Sequence, residues 1–206
     1  MDLVQEQAAR GHDVGVFCDA HFAGERNENL LENLSKHLSL GLVRVPMQRN
    51  PHWTDIKALT GLRDFARSTR AEVLHGHGSK GGLYARMGGV IGAKGPVRAY
   101  TPHGGSLNYK PGTSIHRLYM GIERLLERGT DLFLFESEYI AERYRTFVCE
   151  PSGLQRIALN GLYPHEFEPV HPAEDALDFL YIGEYRFAKG LDTLLTAMAA
   201  LASRPQ

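Results

Sequence analysis

The feature that most restricts this chain is a regular exchange between short apolar runs and longer amphipathic stretches. Strand-length apolar segments fall at "DVGVFC" (13–18), "LVRV" (42–45), "EVLHG" (72–76), "VRAYT" (97–101), "DLFLFE" (131–136), "RIAL" (156–159) and "DFLYI" (178–182). Between them lie helical periodicities near 27–39, 54–69, 80–92, 113–128, 137–147 and 189–203. Strands that are apolar on both sides of the pleat need cover on both faces, and alternating helices supply it. The predicted class is α/β, with a doubly wound parallel sheet. In the helix near 113–128, Ile115, Leu118, Tyr119, Ile122, Leu125 and Leu126 share one apolar face, while Arg117, Arg124 and Arg128 project elsewhere. A helix packed on the sheet is the expected reading, with a membrane-surface helix as its alternative.

The pattern lapses near 160–175, where "NGLYPHEFEPVHPAED" carries Pro164, Pro169 and Pro172 and little periodicity. A linker is expected there. The predicted organisation is therefore a first domain over 1–160, a linker over 161–176, and a second domain begun at 177–206. One strand and one helix cannot bury a core. The opening "LVQEQAARGHDVGVFC" reads as helix, glycine turn and strand, as though an earlier strand fed the helix. Both ends are thus expected to be truncated. Charge is balanced, with 23 Lys and Arg against 24 Asp and Glu and a formal net charge of −1. That argues against a surface built as a whole to hold nucleic acid or an anionic membrane, and any anion site has to be local. Cys18 and Cys149 have neither metal spacing nor a pairing motif, as expected of buried thiols in a reducing compartment. No leader or bilayer-length apolar run is apparent, so a cytoplasmic location is expected.

The stretch "HGHGSKGG", His75 to Gly82, admits several chemistries. His75 and His77 lie two apart, so on a strand they point to one side, as a zinc site could use. Zinc needs three or four ligands, however, and between Glu72 and Glu123 there is no Asp, Glu or Cys. His103 is a conceivable third ligand. The run also fits G-x-G-x-x-G, but the carboxylate expected at the end of the next strand is missing near Tyr100–His103. Arg98 could serve a phosphorylated dinucleotide only from within its strand. A Walker loop fails because Lys80 precedes glycine rather than Ser or Thr. What remains is a neutral-to-basic pocket: from Val73 to Ile122 every formal charge is positive. Two strands end there in glycine-rich turns bearing histidine, "HGHGSKGG" and "TPHGGS". In doubly wound sheets ligands bind outside the carboxyl ends of the strands, where helix N-termini favour anions. Close packing is the competing account of the glycines, and the preferred one for Gly88 and Gly89.

The strings "VLHGHGSKGG", "YTPHGG", "DLFLFESEY", "NGLYPHEFEPV" and "IGEYRFAKGLDTLLTAMAAL" occur in an order that resembles retaining glycosyltransferases of the GT-B type, family 4. The resemblance spans roughly residues 5–206. It implies two Rossmann-like domains, the first facing an acceptor and the second holding a nucleotide-sugar donor. By the same resemblance, His103 matches an active-site histidine facing the transferred sugar. Lys189, Arg186 and Gly183 match the turn that binds the donor diphosphate, with Glu184 where many members carry arginine. Gly78, Ser79, Lys80, Gly104, Gly105, Glu136, Ser137, Asn160 and Gly161 are expected to line the cleft. Capping alone would account for Ser137.

The expected activity is sugar transfer from a UDP- or GDP-linked donor to a glycan or lipid-linked acceptor in bacterial surface polysaccharide synthesis. No metal or other cofactor is implied, and peripheral membrane association of the parent protein is conceivable. The first strand of the family's sheet is absent, and the donor-side glutamates would lie beyond Gln206. The fragment alone is therefore expected to be inactive. The alternatives are a non-catalytic module in which His103 and Lys80 bind a sugar phosphate, and an NADP-dependent oxidoreductase.

Overall fold

The computed structural model describes residues 2–21, 24–48, 50–88, 95–183, 185 and 189–202. They form two compact units, Met1–Gly161 and Leu162–Gln206. The first unit alternates helix and strand in the expected order. Its elements are α1 (Asp2–Ala9), β1 (Gly15–Asp19), α2 (Glu25–Ser35), β2 (Gly41–Val45), α3 (Thr54–Ser68), β3 (Val73–His77) and α4 (Gly78–Gly88). After these come β4 (Val97–Thr101), α5 (Ser114–Glu127), β5 (Leu132–Phe135), α6 (Glu138–Phe147) and β6 (Leu154–Ile157). The second unit holds a 3-10 turn at Pro164–Phe167 and helix α7 (Leu191–Ala202).

All strand pairs are parallel, as short apolar strands joined by helices require. The ladder comes in two pieces: β1 pairs with β2, and β3, β4, β5 and β6 follow in sequence order. Helix α3 ties the pieces together. Gly61 faces Phe17 of β1 and Val45 of β2, while Leu62 lies against Gly88 of α4. Ala58, Leu62 and Ala66, spaced four apart on α3, are its buried stripe.

The register places Gly76 opposite Tyr100, and Tyr100 opposite Phe133, on one face of the larger sheet. On that face Tyr100, Phe133 and Phe135 pack with Met120 of α5 and with Ile140, Ala141 and Tyr144 of α6. Glycine lets α4 lie directly on the strands. A Cβ on Gly76 would sit 2.4 Å from the Gly81 carbonyl oxygen, and one on Gly82 would sit 2.2 Å from the Tyr100 ring. These members of the G-x-G-x-x-G pattern and of the glycine pair after it serve close helix–strand approach. Gly88 does the same against Leu62, as expected, whereas Gly89 lies outside the described residues.

Two expectations are corrected. Segment 178–182 is not a strand; it pairs with nothing among the described residues of its unit, and a strand needs a partner for its backbone groups. Helix α5 does not bury the face its periodicity suggests. It buries His116, Met120, Glu123, Leu126 and Glu127 and leaves Ile115, Leu118 and Leu125 exposed. Glu123 and Glu127 turn inward because the core beneath holds their partners, Arg86, Tyr100 and Ser106 for the first and Ser152 for the second.

Candidate functional site

Strand β3 runs straight into α4: His77 is its last residue and Gly78, at φ +64°, opens the helix. Beside it β4 ends at Thr101, and the chain turns through Pro102, His103, Gly104 and Gly105. His103 has φ 50°, Gly104 φ 71° and Gly105 φ 38°. Three consecutive left-handed residues make a tight reversal, and only the glycines enter it without strain. Histidine in that region costs of order 1 kcal/mol and marks a position held in place by its surroundings.

Those surroundings join the two loops. The Nδ1 of His77 and the Nε2 of His103 are 2.9 Å apart, so one ring donates and the other accepts. Their rings stack at 5.2 Å between centroids, and the His75 ring lies tilted by 40° against His77 at 4.0 Å. His75 and His77 do share one side of β3, as their spacing predicts. His75 Nε2 lies 2.8 Å from the Thr101 hydroxyl. Burial, then the neighbouring rings of His77 and His103, push the pKa of His75 down to about 4. Burial and His103 also lower His77. His75 and His77 are therefore held toward the neutral form. Among the described residues, no group of three His, Cys, Asp or Glu is arranged to hold a metal ion.

A second tie runs through Ser79, whose hydroxyl accepts the Ser106 N–H at 2.8 Å. A Cβ on Gly105 would sit 2.6 Å from that hydroxyl. Beneath both loops lies a buried polar network. Glu123 accepts from Arg86 Nη1 at 2.8 Å, the Ser106 hydroxyl at 2.9 Å and the Tyr100 hydroxyl at 3.1 Å. Arg86 also donates to the Gly82 carbonyl at 2.9 Å and lies 3.9 Å over the Tyr100 ring. A buried guanidinium and carboxylate so furnished hold four elements in one arrangement.

Lys80 is not the free cation its place in the sequence suggests. Its Nζ contacts both oxygens of Asp55, at 2.7 and 2.5 Å, and the Tyr84 hydroxyl donates to the same carboxylate at 2.5 Å. Burial alone would raise the pKa of Asp55; bonds from Lys80, Tyr84 and the His52 N–H outweigh it and hold the pKa low. The pocket is thus not free of carboxylates. Arg98 is also taken, forked onto Asp131 at 2.9 and 3.0 Å, which leaves the dinucleotide-phosphate reading without its cation. Asp55 and Glu123 escape a reading of residues 73–122 because one lies before that window and the other one residue after it. Only their depth in the fold reveals them.

The remaining candidates are spread out. Ser137 caps α6 by accepting the Ile140 N–H at 3.3 Å, so capping does account for it. Glu136, at the carboxyl end of β5, has a buried Oε2 without a hydrogen-bond partner among the described residues. Asn160 and Gly161 are exposed beyond β6. In the second unit Gly183 and Lys189 are exposed, Lys189 in the turn that leads into α7; Glu184 and Arg186 lie outside the described residues.

At the sheet's carboxyl edge the two glycine-bearing histidine loops are thus bound together. A family model described as "glycosyl transferase 4-like domain" matches residues 1–159. The chain belongs to the glycosyl transferase 4-like domain family. Its α/β architecture with parallel sheets agrees with a Rossmann-like glycosyltransferase domain. No curated protein matches the sequence significantly. No helix among the described residues is long and apolar enough to cross a membrane.

Proposed function

We propose that the protein to which this glycosyltransferase-family chain belongs transfers a sugar from a UDP- or GDP-linked donor to a glycan or lipid-linked acceptor, retaining the anomeric configuration, in bacterial surface polysaccharide synthesis. The observation that carries the reading is His103, kept in a left-handed conformation at the end of β4 and bonded to His77. Strain is kept at such a point where a side chain must be presented to a ligand. Gly104 and Gly105 leave the backbone beside it uncovered, so that a sugar ring can approach.

In the transfer, the bond from the anomeric carbon to the diphosphate oxygen breaks, a bond to the acceptor hydroxyl oxygen forms, and the hydroxyl proton passes to the departing diphosphate. The nucleoside diphosphate leaves as an anion. Lys189, in the turn before α7, would meet that charge, with Gly183 and Arg186 as its partners in the sequence pattern, and cations placed at a helix N-terminus act mainly in the transition state. Ser79, Gly78, Glu136, Asn160 and Gly161 are proposed to line the acceptor side. Lys80, neutralised by Asp55, shapes the loop rather than binding an anion, which disfavours a simple sugar-phosphate-binding module. The test is nucleoside diphosphate release by the protein as its gene encodes it, over a panel of UDP- and GDP-sugars with lipid-linked and oligosaccharide acceptors. His103→Ala is expected to lower turnover by about 10²–10³-fold. Release from no donor would sink the transferase reading, and an unaffected His103→Ala would remove His103 from it.

A further inference from the structure

Three carboxylates sunk into the first unit have their donors within it. Asp55 takes Lys80 and Tyr84, Glu123 takes Arg86, Ser106 and Tyr100, and Glu127 takes the N–H and hydroxyl of Ser152 at 2.6 Å each. Glu136 departs from this pattern. Its Oε2 is shut off from solvent and has no hydrogen-bond partner among the described residues. A carboxylate oxygen placed so costs stability, and a fold keeps such a cost where a ligand supplies the missing donor. The place in the sheet points the same way. Continuing the β4–β5 register past Tyr100 and Phe133 brings Glu136 level with His103, and Phe135 opposite Ile157 brings it level with Ala158. Phe133 and Phe135 belong to the aromatic face, so alternation puts Glu136 on the other face, with His75, His77 and Thr101.

We propose that Glu136 binds the acceptor sugar, its carboxylate accepting a pair of adjacent ring hydroxyls at the His103 end of the sheet. A carboxylate only accepts, through two oxygens side by side, and neighbouring hydroxyls of a pyranose donate in the matching sense. The protein's own cations on this part of the fold are engaged: Lys80 by Asp55, Arg86 by Glu123, Arg98 by Asp131, and Arg143 by the Leu107 carbonyl. Glu136 fixes the orientation of the sugar and takes no proton, since the attacking hydroxyl gives its proton to the diphosphate. The inference rests on the transferase reading only in naming that sugar as the acceptor; the hydroxyl site rests on Glu136 itself.

The experiment has two arms on the 206-residue chain, and neither needs a donor. In the first, urea midpoints are compared. Glu136→Leu should raise the midpoint by about 0.5 M, because it removes an unpaired buried charge, and Glu136→Gln should raise it less. A lowered midpoint in both would show that the carboxylate has a structural partner and would overturn the proposal. In the second arm, saturation-transfer NMR follows the methyl glycosides of glucose, galactose, mannose and N-acetylglucosamine, with glucosamine as the cationic probe. At least one neutral glycoside should receive saturation at its ring protons, and Glu136→Gln should weaken its binding about tenfold or more. Contact with no glycoside, or contact that Glu136→Gln leaves unchanged, would overturn the proposal. So would binding of glucosamine alone, which would make the missing donor an ammonium group. Where turnover is measured, Glu136→Gln should raise the KM for the acceptor about tenfold and leave the KM for the donor in place. Sugar contact without nucleotide release would uphold the site and sink only the transferase reading, so the two failures are distinct.

Discussion

His77 and His103 form the hydrogen bond on which the proposed chemistry turns, and only one hydrogen can occupy the line between their nitrogens. His77 is thus a positioning residue: its tautomer decides whether His103 presents its outer nitrogen as donor or acceptor. Removing it as His77→Ala is expected to reduce turnover about 10–100-fold, as losing the partner of a working side chain commonly does. His77→Asn, which keeps a polar group at that site, should recover part of the loss and shift the acid limb of the pH–rate profile. A variant that merely loosened the loop would leave that limb where it is. His75 governs stability instead. Folding lowers its pKa from the ordinary 6.5 to about 4, so between those values the unfolded chain binds protons that the folded one refuses. The stabilisation is complete above about pH 6.5 and is lost as pH falls toward 4, amounting to about 1–3 kcal/mol. Urea midpoints measured across that range should fall, and His75→Gln should flatten the slope, leaving the smaller contribution of His77.

At the scale of elements, the contact between α4 and the sheet is decided by absent side chains. Gly82 has the Tyr100 ring where its Cβ would stand, and Tyr100 is fully buried under Arg86, so neither can yield. Gly82→Ala is expected to cost about 1–3 kcal/mol or more, read as a lowered urea midpoint. The junction of α4 and α5 depends instead on charge. Glu123→Ala would leave Arg86, with no exposed side-chain surface, without its carboxylate; a loss of about 3–5 kcal/mol is expected. Glu123→Leu with Arg86→Met should recover much of it if packing volume is all the pair supplies. The same pair explains the rotation of α5. Periodicity would bury its aliphatic stripe, but Glu123 and Glu127 have partners only on the inner side, and an unpaired buried charge costs more than an exposed leucine.

For the molecule as a whole, stability is concentrated in the first unit. Its aromatic cluster of Tyr100, Phe133, Phe135 and Tyr144 is closed to solvent, whereas α7 in the second unit has no buried residue. An unsupported helix of this length is marginal in water. Hydrogen exchange of the 206-residue chain should therefore show β4, β5 and α6 protected to near the global unfolding energy and α7 exchanging many times faster. Strong protection of α7 would mean that it is covered in solution.

The sequence by itself determined the class of fold and the order of its elements, because strand and helix periodicities are local properties of consecutive residues. It also marked the two histidine loops, since glycine beside histidine after an apolar run shows where a strand stops and the chain turns. Only the tertiary structure decided that Lys80 belongs to Asp55, that Glu123 anchors both loops from beneath, and that His77 bonds His103. These are contacts across 25 to 37 positions of chain, and no local pattern encodes their distance. It likewise decided which face of α5 is covered. A helix shows its apolar stripe in its sequence, but the surface it meets comes from other segments, and here that surface offers partners for charge.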